Sequence, residues 1–309
     1  MSIQPSPKYQ SPQRLIRSIC ISIIVLLTAC QGDKELSQSE LEALIEDGIT
    51  SLQTYSFDLA YTALSQAHSQ LNESNPDYTK ITYCFALATW HKNPPSSEAL
   101  LEAEQLLQSV IEKSPNSQWA ASALIDLGRI HEVADFNSDL PDVAAAQDYY
   151  KQVISQFPHT DHSAKATLHL AQTMIQDFDP ASTEAAADLL KEAIQNHPDS
   201  HWLSTIAQFT AQVYAFYLND KEEALNYYAI AWEHGFPRKS EADLALWQYA
   251  LLAQECDQEL LAAKLFTEIV QEHPRSLYGT LARERVINIA AKHPDADLVI
   301  PTLRSVKVY

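Results

Sequence analysis

The sequence predicts an all-α protein, a right-handed α-solenoid of about six helix pairs closed by one C-terminal capping helix. A recurring spacing predicts it. Ala, then an aromatic or Leu four positions on, then a small or β-branched residue three further, appears as Ala60/Leu64/Ala67, Ala103/Leu107/Val110, Ala146/Tyr150/Val153, Ala186/Leu190/Ala193, Ala224/Tyr228/Ala231 and Ala262/Phe266/Ile269. Positions i, i+4 and i+7 share one helix face, so each set marks the buried stripe of one helix. The Ala anchors stand 43, 43, 40, 38 and 38 residues apart, and a Pro follows each set, at 76, 115, 158, 198, 237 and 274. Self-similarity at such a period marks stacked helix pairs, because a single pair cannot bury its apolar face without neighbours.

Residues 1–29 read as a leader. Lys8, Arg14 and Arg17 precede an apolar run from Ile19 to Leu27, too short to span a bilayer as a resident helix, and the run ends in Leu27-Thr28-Ala29-Cys30. This stretch resembles the signal peptide and lipobox of bacterial lipoproteins. The resemblance implies cleavage before Cys30, a diacylglyceryl group on its thiol and acylation of its amine. Several acyl chains, each worth about 0.8 kcal/mol per buried CH₂, make a durable anchor. Gln31 stands where the inner-membrane retention signal of enteric bacteria resembles Asp, so the resemblance implies the outer membrane, facing the periplasm. Residues 30–37 then form a lipidated tether whose stretch from Gln31 to Leu36 reaches about 20 Å when extended.

The helical repeats occupy 38–292. Ser37-Gln38-Ser39-Glu40 forms a capping box that starts the first helix. Leu41, Leu44, Ile45 and Leu52 make its stripe, and Gly48 lies on the packing side, where a partner helix can come close. The leading helices of later pairs carry Leu87-Ala88, Leu127-Gly128, Leu170-Ala171, Thr210-Ala211 and Tyr249-Ala250. A small residue lets the neighbouring helix approach, a large one fills the gap beside it, and Pro stops the trailing helix. In these residues the chain resembles the tetratricopeptide repeat, with its pattern W-x-x-L-G-x-x-Y, A-x-x-x-F and P. Leu127-Gly128 with Ala146, Tyr150 and Pro158, and Tyr249-Ala250 with Ala262, Phe266 and Pro274, carry the match. The chain departs from the pattern in its longer period, its missing leading Trp and the displaced Pro76 and Pro237. HEAT-like pairs are the competing architecture. Residues 276–292 form the cap, with Arg283, Glu284, Arg285 and Lys292 on a polar outer face. The tail, 293–309, is expected to be extended, with Leu298-Val299-Ile300-Pro301 docked on the last helices.

Composition excludes several functions. The net charge is -19, and it becomes -22 once Lys8, Arg14 and Arg17 leave with the leader. Such a surface repels phosphate backbones and anionic lipid, which disfavours nucleic acid as a partner. With 5 Gly in the chain, no phosphate-cradling loop is present. Cys84 and Cys256 lie several repeats apart in apolar helical contexts, too far for a disulfide, and read as buried structural thiols. No cofactor is expected. Asp135, Asn137, Asp139 and Asp142 in the 132–143 loop suggest the start of a calcium loop, but Leu140 replaces the Gly that such a loop needs. His131-Glu132-Val133-Ala134-Asp135 falls one residue short of the H-E-x-x-H zinc motif. Asp161 reads as a helix cap between exposed His159 and His162.

In a tetratricopeptide-like solenoid the leading helices line a concave face, and the resemblance implies a peptide or protein bound along it. The side opposite each packing pair points to Phe85, Thr89 and Lys92, to Ile125 and Arg129, to Lys165, Leu168 and Gln172, to Gln208 and Gln212, and to Trp247 and Leu251. The expected protein is therefore a non-enzymatic, membrane-tethered lipoprotein that serves as a scaffold in the bacterial cell envelope. It resembles the repeat lipoproteins of outer-membrane assembly and of the Tol–Pal system. The alternative is peptidoglycan processing, since Ser276 to Ala282 resemble part of the helical superstructure of soluble lytic transglycosylases, or metal-dependent hydrolysis at Glu132.

Overall fold

The structure, a computed structural model, describes residues 36–133 and 140–303. The leader and Cys30 lie outside those residues, as do Asp135, Asn137 and Asp139. Among the described residues there is no strand. The helices are α1 (Gln38–Gln53), α2 (Phe57–Gln70), α3 (Tyr78–His91), α4 (Ser97–Lys113), α5 (Gln118–His131), α6 (Val143–Gln156), α7 (Asp161–Met174), α8 (Pro180–Asn196), α9 (Leu203–Gln212), α10 (Lys221–Glu233), α11 (Ala242–Glu255), α12 (Glu259–Glu272) and α13 (Gly279–Lys292). Odd-numbered helices lead and even-numbered helices trail. Each packs against the next, and α1, α3, α5, α7 and α9 also touch one another in succession. Six pairs therefore form a solenoid with leading helices on one wall, trailing helices on the other, and α13 packed on α12 at the end.

The glycines show why the repeated spacing works. A Cβ on Gly128 would stand 2.4 Å from Cε1 of Tyr150, and one on Gly48 would stand 2.6 Å from Cγ of Leu64. In both pairs the i+4 residue of the trailing helix lies directly on the backbone of its leading helix, an approach that any side chain would block. All six Ala anchors and all six i+4 residues are buried. Each large i+4 side chain removed from water contributes about 1.5–3 kcal/mol, which is why this stripe sets the register of the array.

Caps delimit the helices. Ser37 and Glu40 form the capping box at α1. Ser96, Ser117, Asp142, Asp179 and Asp220 each accept a hydrogen bond from the backbone of their own helix. At α7 the cap is Thr160 and not Asp161. Asp161 instead joins two repeats: Ser200 Oγ donates to it at 2.5 Å, and His201 Nδ1 lies 2.8 Å away. His162, read as exposed, is half-buried with Nε2 3.0 Å from Ser122 Oγ.

The array loosens toward its C-terminal third. Helix α9 runs on into a π-helical turn, Val213–Leu218. Between α9 and α11 the direct packing of leading helices gives way to the segment 234–241, held by the Ser204 hydroxyl, which donates to the Gly235 carbonyl at 2.5 Å. Gly235 has φ +79, a conformation few other residues adopt cheaply. Beyond α13 a short turn, Pro294–Ala296, reverses the chain. Leu298 and Ile300 then pack on the core of the last helices, and Arg283 Nε donates to the Pro301 carbonyl at 3.0 Å. Cys84 is buried, which pushes its thiol up to about 11, whereas Cys256 is half-buried at the end of α11.

Candidate functional site

The wall built by the leading helices carries a polar strip. Its centre is Asp126, a carboxylate 4% exposed within the apolar stretch of α5. It is tolerated because it is fully engaged: Tyr83 Oη donates to Oδ2 at 2.7 Å and Arg129 Nη1 to Oδ1 at 3.3 Å. Burial, reinforced by the charge of Asp126, lifts the Tyr83 hydroxyl above its ordinary range. Arg129 keeps its side chain 41% exposed, with the guanidinium 5.4 Å from the centre of the Trp90 ring.

Across from it on α7, Lys165 lies with Nζ 5.5 Å from the centre of the Trp202 ring. Burial lowers its pKa, with Asp126 acting to raise it and the charge of Arg129 lowering it further. Among the described residues no carboxylate forms an ion pair with it. One turn on, His169 stacks on Tyr150 at 5.3 Å, and burial lowers its pKa to about 4. Its Nδ1 is buried without a hydrogen-bond partner, 3.8 Å from Glu132 Oε1. Glu132 itself accepts from Tyr150 Oη at 2.7 Å, and burial raises its carboxyl.

The strip continues along α7 to a cleft of about 230 Å³ between α7, α9 and the 236–241 segment. Gln172, Gln208 and Gln212 line it together with Thr205, Phe209 and Phe236, and its far rim carries Arg238 paired to Glu241 at 3.1 Å. Amides on one side and an aromatic floor suit an extended peptide, whose backbone offers a donor and an acceptor at every residue.

The residues expected in the groove therefore divide. Arg129 and Lys165 come together, as do Gln172, Gln208 and Gln212. Phe85 does not belong: it is 7% exposed, packed against Tyr61 and His68 in the first core. Thr89, Ile125 and Leu168 are buried as well. Lys92 points to the trailing side, 3.7 Å above the Tyr61 ring and 3.7 Å from Glu102. Trp247 is half-buried between Phe266 and Tyr278, each 5.2 Å away, and serves the junction with the cap. Sequence reasoning missed Tyr83, Asp126, His169 and the 236–241 segment. The lone Asp in Ala123-Leu124-Ile125-Asp126-Leu127-Gly128 was the available signal, since a carboxylate in a buried run must have partners. Glu132 is committed to Tyr150, and among the described residues no three His, Cys, Asp or Glu groups converge as a metal would require.

No family model matches the chain, and no curated protein matches it. Solved structures do. The structure of pilF from Pseudomonas aeruginosa is similar with a TM-score of 0.52 at 14% identity, over 82% of this chain and 98% of that one. A tetratricopeptide repeat protein from Parabacteroides merdae is similar with a TM-score of 0.46 at 12% identity, over 84% and 94%. The chain is a tetratricopeptide-like α-solenoid. At these identities the likeness concerns the fold, and the sites stand on their own geometry.

Proposed function

We propose that this protein is a non-enzymatic scaffold of the bacterial cell envelope, anchored by lipid on Cys30, that binds a protein segment along the wall of its leading helices. The observation that carries the groove is Lys165. A half-buried ammonium without a carboxylate partner, beside a second cation on the neighbouring helix, favours an anion supplied from outside. In a chain of net charge -19 such a site discriminates strongly, because acidic segments are repelled everywhere else. A partner carboxylate seats between Arg129 and Lys165, and the chain next to it lies over Gln172 and Gln208. The anchor rests on the basic, apolar and Leu27-Thr28-Ala29-Cys30 order of the leader, and it sets the groove near a membrane surface.

Two experiments test the reading. Lys165→Gln should weaken partner binding by about tenfold, the scale of one lost charge-assisted contact, while the unfolding midpoint holds or rises. Unchanged affinity in a folded variant overturns the groove. Cys30→Ala should abolish metabolic labelling by an azido fatty acid and release the protein from membranes. Labelling that survives overturns the anchor.

A further inference from the structure

Every pair turn lies on the same edge of the solenoid, because leading helices all run one way and trailing helices the other. This edge exposes apolar side chains at each turn: Tyr55 and Leu59, then Leu101, then Val133 and Leu140, then Phe178, then Phe216 and Tyr217, then Leu260. Near the opposite edge the large exposed apolar residues are Leu244, Leu277, Leu281 and, beside Gly279, Leu303, all close to the C-terminal end. Scattered single residues need no account, but a row does.

Its centre is Phe178, Phe216 and Tyr217, exposed by 71%, 65% and 43%, with the Phe178 and Tyr217 rings stacked at 5.9 Å. Phe178 also holds φ +55, in the left-handed region. At the equivalent place the first pair turn holds another exposed aromatic, Tyr55 at φ +57, whereas the two pair turns after Phe178 hold Asn219 and Asp257, whose short polar side chains suit that region better. Neither backbone preference nor burial accounts for a Phe there. Beside Phe216 opens an apolar cleft of about 150 Å³, lined by Ala215, Leu251 and Leu252 with Glu255 at its rim.

The surroundings are acidic. Asp177 and Asp179 flank Phe178, and a polar cleft next to the apolar one is lined by Asp220, Glu222, Glu255 and Asp257. Its one cation among the described residues, Lys221, is held by Glu255 at 2.9 Å. Asp179 and Asp220 cap helices, whereas Asp177, Glu222 and Asp257 carry no ion pair among the described residues.

We propose that this edge docks a cationic amphipathic segment of a partner protein, with an apolar side chain seated beside Phe216 and its Lys or Arg groups over Glu222 and Asp257. Charge complementarity selects that occupant: the carboxylate rim disfavours anionic lipid and acidic peptides, and the exposed rings accept a cation on their faces. The surface is distinct from the groove of the leading helices, so a partner can be held at two places or two partners at once.

The test uses the protein from Gln31 onward and a fluorescein-labelled helical peptide of Leu and Lys, with a Leu and Glu peptide of the same apolar pattern as control. Fluorescence anisotropy should show binding of the Leu/Lys peptide and none of the Leu/Glu peptide. The pair Phe178→Asn and Phe216→Ser should weaken binding about tenfold or more, as should Glu222→Gln with Asp257→Asn. Phe178→Asn suits the backbone, so folding survives, and circular dichroism verifies it. Lys165→Gln should leave this binding unchanged, which separates failure of the edge from failure of the groove. Equal binding of both peptides, or full binding by folded edge variants, overturns the proposal. So does Phe178-dependent binding to phosphatidylcholine vesicles, which makes the occupant a lipid surface, or Phe178-dependent self-association in sedimentation, which makes it a second copy.

Discussion

The junction between α5 and α7 and the junction between α9 and α11 are built from the same repeat, yet one is closed and the other open. At the first, Tyr150 sits on Gly128 and Ser122 pairs with His162 across to α7. The carboxylate of Asp126 is taken up by Tyr83 and Arg129 and that of Glu132 by Tyr150, which leaves Lys165 and the outer face of Arg129 as the charge on offer. At the second, residues 234–241 replace direct helix packing and line a cleft together with Gln208, Phe209 and Gln212, and an apolar cleft lies between the π-helical turn, α10 and α11. A solenoid adds its repeats by nearest-neighbour contact, so one loosened junction costs stability locally without disturbing the rest. The closed junction supplies fixed charge, and the open one supplies room.

Substitutions can break that contrast. The largest effect is expected from Gly128→Val, which drives a side chain into the buried Tyr150 ring and should cost about 3 kcal/mol or more in denaturant unfolding. The next involves pH. The pKa of His169 is lowered to about 4 by burial, with Lys165 and Arg129 adding to the effect. A folded-state pKa below the unfolded value means that the unfolded chain binds more protons between the two. The contribution, about 2–3 kcal/mol, is therefore present above pH ~6.5 and is lost as pH falls toward 4. His68, His91, His162 and His197 are lowered by burial too and add in the same direction. His169→Gln should flatten the acid limb of stability against pH.

Smaller effects sharpen the contrast. Thr205→Leu projects into the open cleft and should change stability by less than about 1 kcal/mol while reducing partner affinity, the reverse of Gly128→Val. Phe178→Asn should raise stability by about 0.5–1 kcal/mol, because it relieves a left-handed Phe that packs on little besides Tyr217. A loss instead would show that the aromatic pair is structural.

The array was legible because its physics is local and repeated. Ala at i, a large residue at i+4 and Gly or Ala on the facing helix are enough to specify two helices in contact, and Tyr150 over Gly128 follows from them directly. The groove was less legible, because the side opposite a packing stripe is not always solvent. In a stack, a leading helix also meets the leading helices before and after it, which is why Thr89, Ile125 and Leu168 are buried. Phe85 was lost to the stacking of His68 and Tyr61 against it. Gln172, Gln208 and Gln212 line the cleft beside residues 236–241, a segment the sequence does not place because a displaced Pro237 says that a turn is irregular and not where it goes.

The most direct test of the groove is site-specific photocrosslinking in native cells, with the photoreactive residue at Gln172 or Gln208 on the leading wall and at Gln108 or Gln152 on exposed trailing faces as controls. One protein should be trapped from Gln172 and Gln208, lost on Lys165→Gln, and nothing from the trailing positions. Equal trapping from both walls, or trapping indifferent to Lys165, would contradict it.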